Sequence, residues 1–215
     1  KIVRASDNKK LFHIVDNFKT KYFNGGEKFI TFEKTVYDVG TGLDIADAFK
    51  IKKFHLVGHD WGAAVGWHVS AVHANRISSY SALSVPHLDA FGDAIVNNKV
   101  QRKKSYYIKL FRLKFIPEIY FNINNYYNLK KLWTSSSDEE IKDYLTVFSQ
   151  KNAIRAALNW YRASNLTGSK QIGKINVPTL MIYGTKDMAI GEKGIDETEK
   201  YIKNSYTLKK IDSSH

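Results

Sequence analysis

HLVGHDWGAAVGWHVS, residues 55–70, decides how this chain is read. An apolar run ends at Gly58, an Asp stands between that Gly and Gly62, and a segment rich in Ala and Gly follows. Ile51–Gly58 has the near-continuous apolar character of a strand covered on both faces. Trp61–His73 reads as a helix whose small residues Gly62, Ala63, Ala64 and Gly66 let it lie close against a sheet. Ile77–Val85 is a second apolar strand, stopped by Pro86. Strand, helix and strand in that order predict a parallel crossover and an α/β fold.

The same pattern returns near the C-terminus. Val177–Tyr183 reads as a buried strand, Lys193–Lys203 as a helix and Tyr206–Ile211 as a strand. Between the two α/β parts, His87–Gly173 is rich in Tyr, Phe, Asn and Lys, with helical spacing and few strand signals. Ser135–Leu145 opens a helix there, with Ser at the cap and acidic residues in the first turn. The expected organisation is an α/β core over 1–87, a helical cap over 88–172 and the rest of the core over 173–215. Leu11–Val36 alternates apolar and polar residues around Gly25-Gly26, the pattern of a hairpin.

Composition bounds the function. A chain of 215 residues, 43% hydrophobic and 25% charged, can bury the core of one or two domains. No apolar run reaches the roughly 18 residues of a membrane span. Cys is absent, which removes thiol chemistry and disulfides and fits a reducing compartment, so a cytoplasmic location is favoured. The N-terminus carries no signal-peptide pattern, and a start at Lys1 instead of Met leads us to expect residues upstream. The net charge of +12 is compatible with an anionic partner, either nucleic acid or a membrane surface. The Lys residues are nevertheless scattered, with QRKK at 101–104 the one short cluster, and no nucleic-acid motif accompanies them. They are read as a solvated surplus, and nucleic acid is not expected as a partner.

Gly58-His59-Asp60-Trp61-Gly62 has the form of a nucleophile elbow, with Asp where ester hydrolases carry Ser. The strand-to-helix turn is sharp and leaves no room for side chains two positions either side of the nucleophile, hence the Gly pair. The carboxylate would stand at a helix N-terminus, which keeps it ionised. Two partners follow in the order nucleophile, acid, base. Asp187 lies just past the strand ending at Tyr183, and His215 just past the last strand. An Asp nucleophile attacks saturated carbon and leaves an alkyl ester, which a His-activated water then hydrolyses. Epoxides or alkyl halides are the implied substrates. His55, His68, His73 and His87 lack clustered carboxylates, so no metal is expected, and the chemistry needs no organic cofactor.

HLVGHDWGAAVGW, LSVPHLDAF (83–91), SYYIKLFRLKFIPE (105–118), LNWYRAS (158–164), VPTLMIYGTKDMAIG (177–191) and the terminal His together resemble the α/β-hydrolase superfamily, in its soluble epoxide hydrolase-like branch. The resemblance covers Asp44–His215. It implies a mostly parallel central sheet with an inserted helical cap, and an N-terminal part that is incomplete or diverged. It also implies two cap Tyr hydroxyls on the epoxide oxygen. One matches Tyr161 in Asn159-Trp160-Tyr161-Arg162. The other matches Tyr107, ahead of Phe111 and Pro117-Glu118, although Arg112-Leu113-Lys114 replaces the family's Gln-x-Pro. Trp61 would supply a backbone oxyanion donor, and His59 a pocket or packing side chain.

The resemblance also has gaps. The family's His-Gly-x-Pro motif, source of a second oxyanion donor, does not occur, nor does the Gly-rich loop that precedes the strand at Phe54. Losing such a donor costs about 2.7–4 kcal/mol in the transition state. The family also continues into a further helix after its His. Two other readings share these residues. Trp61 is equally at home in haloalkane dehalogenases, so a haloalkane or haloacid dehalogenase remains open. So does a catalytically impaired hydrolase-fold protein that binds a ligand through the cap. The expected partner is a small apolar epoxide.

Overall fold

A computed structural model describes residues 43, 46–133, 136–164 and 171–215 in full, and the backbone of 29–32. The strands are β1 (Phe29–Phe32), β2 (Phe54–His59), β3 (Ile77–Leu83), β4 (Thr179–Gly184) and β5 (Tyr206–Ile211). They form one sheet in the order β1-β2-β3-β4-β5, with every neighbouring pair parallel. The helices are α1 (Trp61–Val72), α2 (Leu88–Asn97), α3 (Lys99–Lys104), α4 (Tyr106–Phe111), α5 (Ile116–Lys130), α6 (Asp138–Phe148), α7 (Ala153–Ala163) and α8 (Glu192–Glu197).

Most of the predicted elements appear with shifted ends. Ile51–Lys53 precede β2, because Lys52 and Lys53 are solvated while the apolar alternation starts at Phe54. The predicted helix Lys193–Lys203 is divided into α8 and a 3₁₀ turn at Thr198–Tyr201. The predicted hairpin over Leu11–Val36 lies outside the described residues except for β1, which pairs parallel with β2.

The join between α1 and the sheet explains the small residues. A Cβ on Gly66 would sit 2.5 Å from the Tyr80 ring. Its absence lets Tyr80 slide beneath the helix and donate to the Ala63 carbonyl at 2.7 Å. Trp67 crosses the same ring edge-on at 4.8 Å and donates to the Val85 carbonyl. These side chains belong to a core with Phe54, Leu56, Ile77, Met181 and Ile195, and Phe91 of α2 packs into it. The later helices have a separate apolar cluster of Phe121, Leu129, Ile154 and Leu158, flanked by Phe111, Trp133 and Phe148. Ser137 and Glu140 close a reciprocal capping box at the start of α6.

The two ends of the helical stretch are tied together where it leaves and rejoins the core. His87 is buried; its Nδ1 accepts from the Asp89 amide and its Nε2 donates to the Gly173 carbonyl at 3.0 Å. Asp89 in turn accepts from the amides of Ile172 and Gly173. Burial drives the His87 pKa down to about 4, against the pull of Asp89, which keeps the ring neutral and able to accept at Nδ1.

Candidate active site

The site is assembled from loops at the C-terminal ends of β2, β4 and β5, where parallel α/β sheets gather their ligands. Asp60 joins β2 to α1 with φ 53 and ψ −123, a strained backbone for any residue with a side chain. Its carbonyl accepts from the amides of Ala63 and Ala64, so the first turn of α1 holds the strain in place. A Cβ on Gly58 would meet the Gly62 carbonyl oxygen, and would lie 2.7 Å from the carbon behind it and 2.8 Å from the Ala63 nitrogen. The glycine requirement read from the sequence is therefore a backbone-on-backbone contact.

Asp187 is buried in the turn after β4. Its Oδ1 accepts from the amides of Ala189 and Ile190 at 2.8 and 2.9 Å, and its Oδ2 faces His215 Nδ1 at 2.7 Å. His215 Nε2 lies 3.5 Å from Asp60 Oδ1. The chain reaches this position because β4 ends in Gly184, where a Cβ would press into the Ser213 and Ser214 carbonyls. The three residues predicted as nucleophile, acid and base thus meet in space, with His215 between Asp60 and Asp187.

Their protonation follows from these contacts. Burial penalises the imidazolium of His215, but Asp187 and Asp60 outweigh it and raise its pKa from 6.5 to about 9. Burial opposes the Asp60 charge as well. The His215 hydrogen bond and charge, His59 and the Trp61 amide prevail, and Asp60 stays below the ordinary carboxylate range. Asp187 is likewise held low, against burial, by His215 and the two loop amides. At neutral pH the resting site is an ionised Asp60, an imidazolium and an ionised Asp187.

Asp60 and His215 open into a cleft walled by apolar side chains that include Trp61, Val85, Leu88, Phe91 and Ile190. Tyr107 of α4 and Tyr161 of α7 line the same cleft. The two phenol rings meet edge to face at 5.9 Å, and Trp61 packs edge-on to Tyr161 at 5.3 Å. Burial, with the neighbouring Tyr161 and Asp60, pushes the Tyr107 pKa far above its usual value. Burial and the Asp60 charge push Tyr161 up to about 12, against the donors Trp61 and Tyr107. Both are O–H donors throughout the neutral range. His59 lies with its ring 4.9 Å from that of His215 and is not among the residues lining the cleft. Among the described residues no cluster of His, Cys, Asp and Glu is placed to hold a metal, and no helix is long and apolar enough to cross a membrane.

Several supports escaped the sequence reading. Gln101, inside the QRKK cluster, is fully buried. Its amide donates to the Ala189 carbonyl and accepts from the Gly191 amide, pinning the loop whose amides hold Asp187. Lys104 donates to the Asp187 carbonyl. Arg162, beside Tyr161, makes a two-pronged ion pair with Glu118 at 2.8 and 2.9 Å and so ties α7 to the start of α5. The motif Asn159–Arg162 contained this partner, but a single sequence does not say which carboxylate it meets.

These features belong together in a recognised architecture. A family model of the alpha/beta hydrolase fold matches residues 27–215, and the chain belongs to that family. Epoxide hydrolase 4 of Homo sapiens is 29% identical over 176 residues, which cover 77% of this chain and 49% of that protein. The AB hydrolase superfamily protein YfhM of Bacillus subtilis (strain 168) is 31% identical over 183 residues, 80% of this chain and 63% of the relative. In fold, the chain is similar to a Bacillus megaterium epoxide hydrolase crystallised with an inhibitor. The TM-score is 0.71 at 22% identity, over 85% of this chain and 72% of the other. The chain spans about half the length of the human relative.

Proposed function

We propose that this chain carries the catalytic centre of an epoxide hydrolase, with Asp60 as nucleophile, Tyr107 and Tyr161 as proton donors, and His215 oriented by Asp187 as base. The observation that carries this reading is the pair of phenols lining the same apolar cleft as Asp60. An opening epoxide develops charge on oxygen, and two O–H donors in an apolar cleft are suited to stabilise it. The relatives named as epoxide hydrolases support the same assignment. The helices that supply the tyrosines act as a cap over the sheet's loops.

In the first step an Asp60 oxygen attacks an epoxide carbon and forms an ester. The ring C–O bond breaks, and a tyrosine gives its proton to the leaving oxygen. Esterification removes the Asp60 charge, one of the influences that raise the His215 pKa. His215 then passes its proton to the tyrosinate and becomes a neutral base. In the second step His215 Nε2 takes a proton from water, and the hydroxide adds to the ester carbonyl. The tetrahedral intermediate collapses, and the proton of its added hydroxyl passes to the departing alkoxide, giving diol and Asp60 carboxylate. The Trp61 amide is one oxyanion donor for that intermediate. The cycle consumes one epoxide and one water and returns every group to its starting protonation state.

The test is a His215→Gln variant exposed to excess of a reactive epoxide, followed by intact-protein mass. The expected result is a gain of one substrate mass, which Asp60→Asn abolishes. Folded His215→Gln protein that gains no mass would overturn the assignment. Halide release from haloalkanes without diol formation from epoxides would place the same Asp nucleophile in a dehalogenase.

A further inference from the structure

The chain between α4 and the first half of α5 presents an apolar surface to solvent. Leu110, Leu113, Phe115, Ile116, Ile119 and Tyr120 are each between 43% and 64% exposed. Within the regular part of α5, Ile116, Ile119 and Tyr120 share a face, while Pro117 and Phe121 are buried, Phe121 in the helical cluster. Phe115, the most exposed of the six, also holds a left-handed backbone with φ 67. Positive φ and apolar exposure therefore coincide at one residue, whose turn is closed by the Ile116 amide on the Lys114 carbonyl and the Ile119 amide on the Phe115 carbonyl. Contiguous exposed apolar surface of this kind marks an interaction site.

Charge identifies the partner. Lys109, Arg112 and Lys114 are interleaved with these side chains and exposed. Between Asp93 and Asp138 the sequence holds nine basic residues and one acid, Glu118. That acid is turned inward onto Arg162, which holds its carboxyl below the usual range. The surface presented outward is thus apolar and cationic with no opposing carboxylate from its own segment. A second copy of the chain would bring like charges together. Nucleic acid would meet the cations but offers little to Leu and Ile side chains. A bilayer interface with anionic headgroups satisfies both, since aliphatic and aromatic side chains enter the acyl boundary and Lys and Arg stems run up to the phosphates.

We propose that Lys109–Tyr120 docks the protein on the surface of an anionic lipid bilayer, lying on it and not spanning it. The segment directly follows Tyr107 and Ile108, which line the cleft, so docking would bring the cleft's cap side toward the lipid. The docking does not depend on the proposed reaction.

The test is flotation of the chain with vesicles of equimolar phosphatidylserine and phosphatidylcholine, and with vesicles of phosphatidylcholine alone. Binding to the first and not the second at low salt is expected. Each cation near an anionic surface contributes about fivefold in affinity, so Lys109→Gln with Lys114→Gln should weaken binding by about 25-fold. Phe115→Ser with Ile119→Ser should abolish it at unchanged net charge. Circular dichroism establishes that each variant is folded; if the apolar variant is not, the Lys pair carries the test alone. Failure to bind anionic vesicles would overturn the proposal. So would equal binding to both vesicle types, folded variants that bind like the parent, or a dimer that the apolar substitutions dissociate.

Discussion

Replacing Asp187 by Asn should separate the two chemical steps, because the loop around it dictates which way the amide points. In the native site the amides of Ala189 and Ile190 both donate to Oδ1. An Asn that kept its oxygen there would place its NH₂ group at the Oδ2 position, 2.7 Å from His215 Nδ1. The opposite orientation would leave two buried donors unpaired, at about 1–3 kcal/mol each. The first orientation therefore wins. His215 Nδ1 must then accept, which leaves the ring neutral with its one proton on Nε2, facing Asp60. A ring protonated at Nε2 cannot take a proton from water. General-base catalysis is worth about 10²–10⁴-fold, and this sets the expected loss in ester hydrolysis. Alkylation of Asp60 uses none of these atoms and should stay within about tenfold, the scale of a modest loss in positioning. Rapid-quench intact mass measures the adduct, and diol release measures turnover. The adduct should accumulate while turnover collapses. Folded Asp187→Asn protein with parental turnover, or with both steps slowed alike, would refute the orientation argument.

Other consequences follow from the same contacts. Tyr107→Phe or Tyr161→Phe should each lower the epoxide-opening rate by about 10²–10³-fold, the usual cost of one donor to a developing oxyanion, as read by single-turnover kinetics. Gly58→Ala should destabilise the fold by roughly 2 kcal/mol and lower its thermal midpoint by about 6 °C, since the new methyl meets the backbone of Gly62 and Ala63. The raised His215 pKa has a consequence for stability. Its contribution is fully present below pH 6.5 and fades as pH rises through about 9. Denaturant unfolding should show that decline, and His215→Gln should remove it. Asp60→Asn should lower the His215 pKa in an NMR titration, because one of the two carboxylates that raise it is gone.

The site was legible in the sequence wherever one local pattern carried the requirement. Gly58, Asp60 and Gly62 announce a strained turn through their spacing alone. The loops of Asp187 and His215 follow strands whose apolar runs are unmistakable. The two tyrosines were different: among 13 Tyr only the motif resemblance singles out Tyr107 and Tyr161. Contacts between distant segments left no trace in either. Gln101 reads as part of a basic surface cluster, yet it is buried against a loop some ninety residues away. His87 reads as a lone histidine, yet it closes the joint between the helices and the core through Gly173. Glu118 and Arg162 were visible as motif letters, and only the fold pairs them. The surplus of Lys looked evenly solvated because exposure of the apolar residues between them depends on which face α5 turns inward.

The central claim is that Asp60 itself is esterified, and isotope transfer tests it most directly. A single turnover is run in heavy-oxygen water with enzyme in excess over epoxide. If Asp60 attacks the epoxide and water attacks the ester carbonyl, the oxygen added to the diol comes from the carboxylate. The diol should then carry ordinary oxygen, and the peptide containing Asp60 should gain the heavy atom. A diol labelled in that first turnover, with an unlabelled Asp60 peptide, would mean that water opens the epoxide directly and would contradict the account.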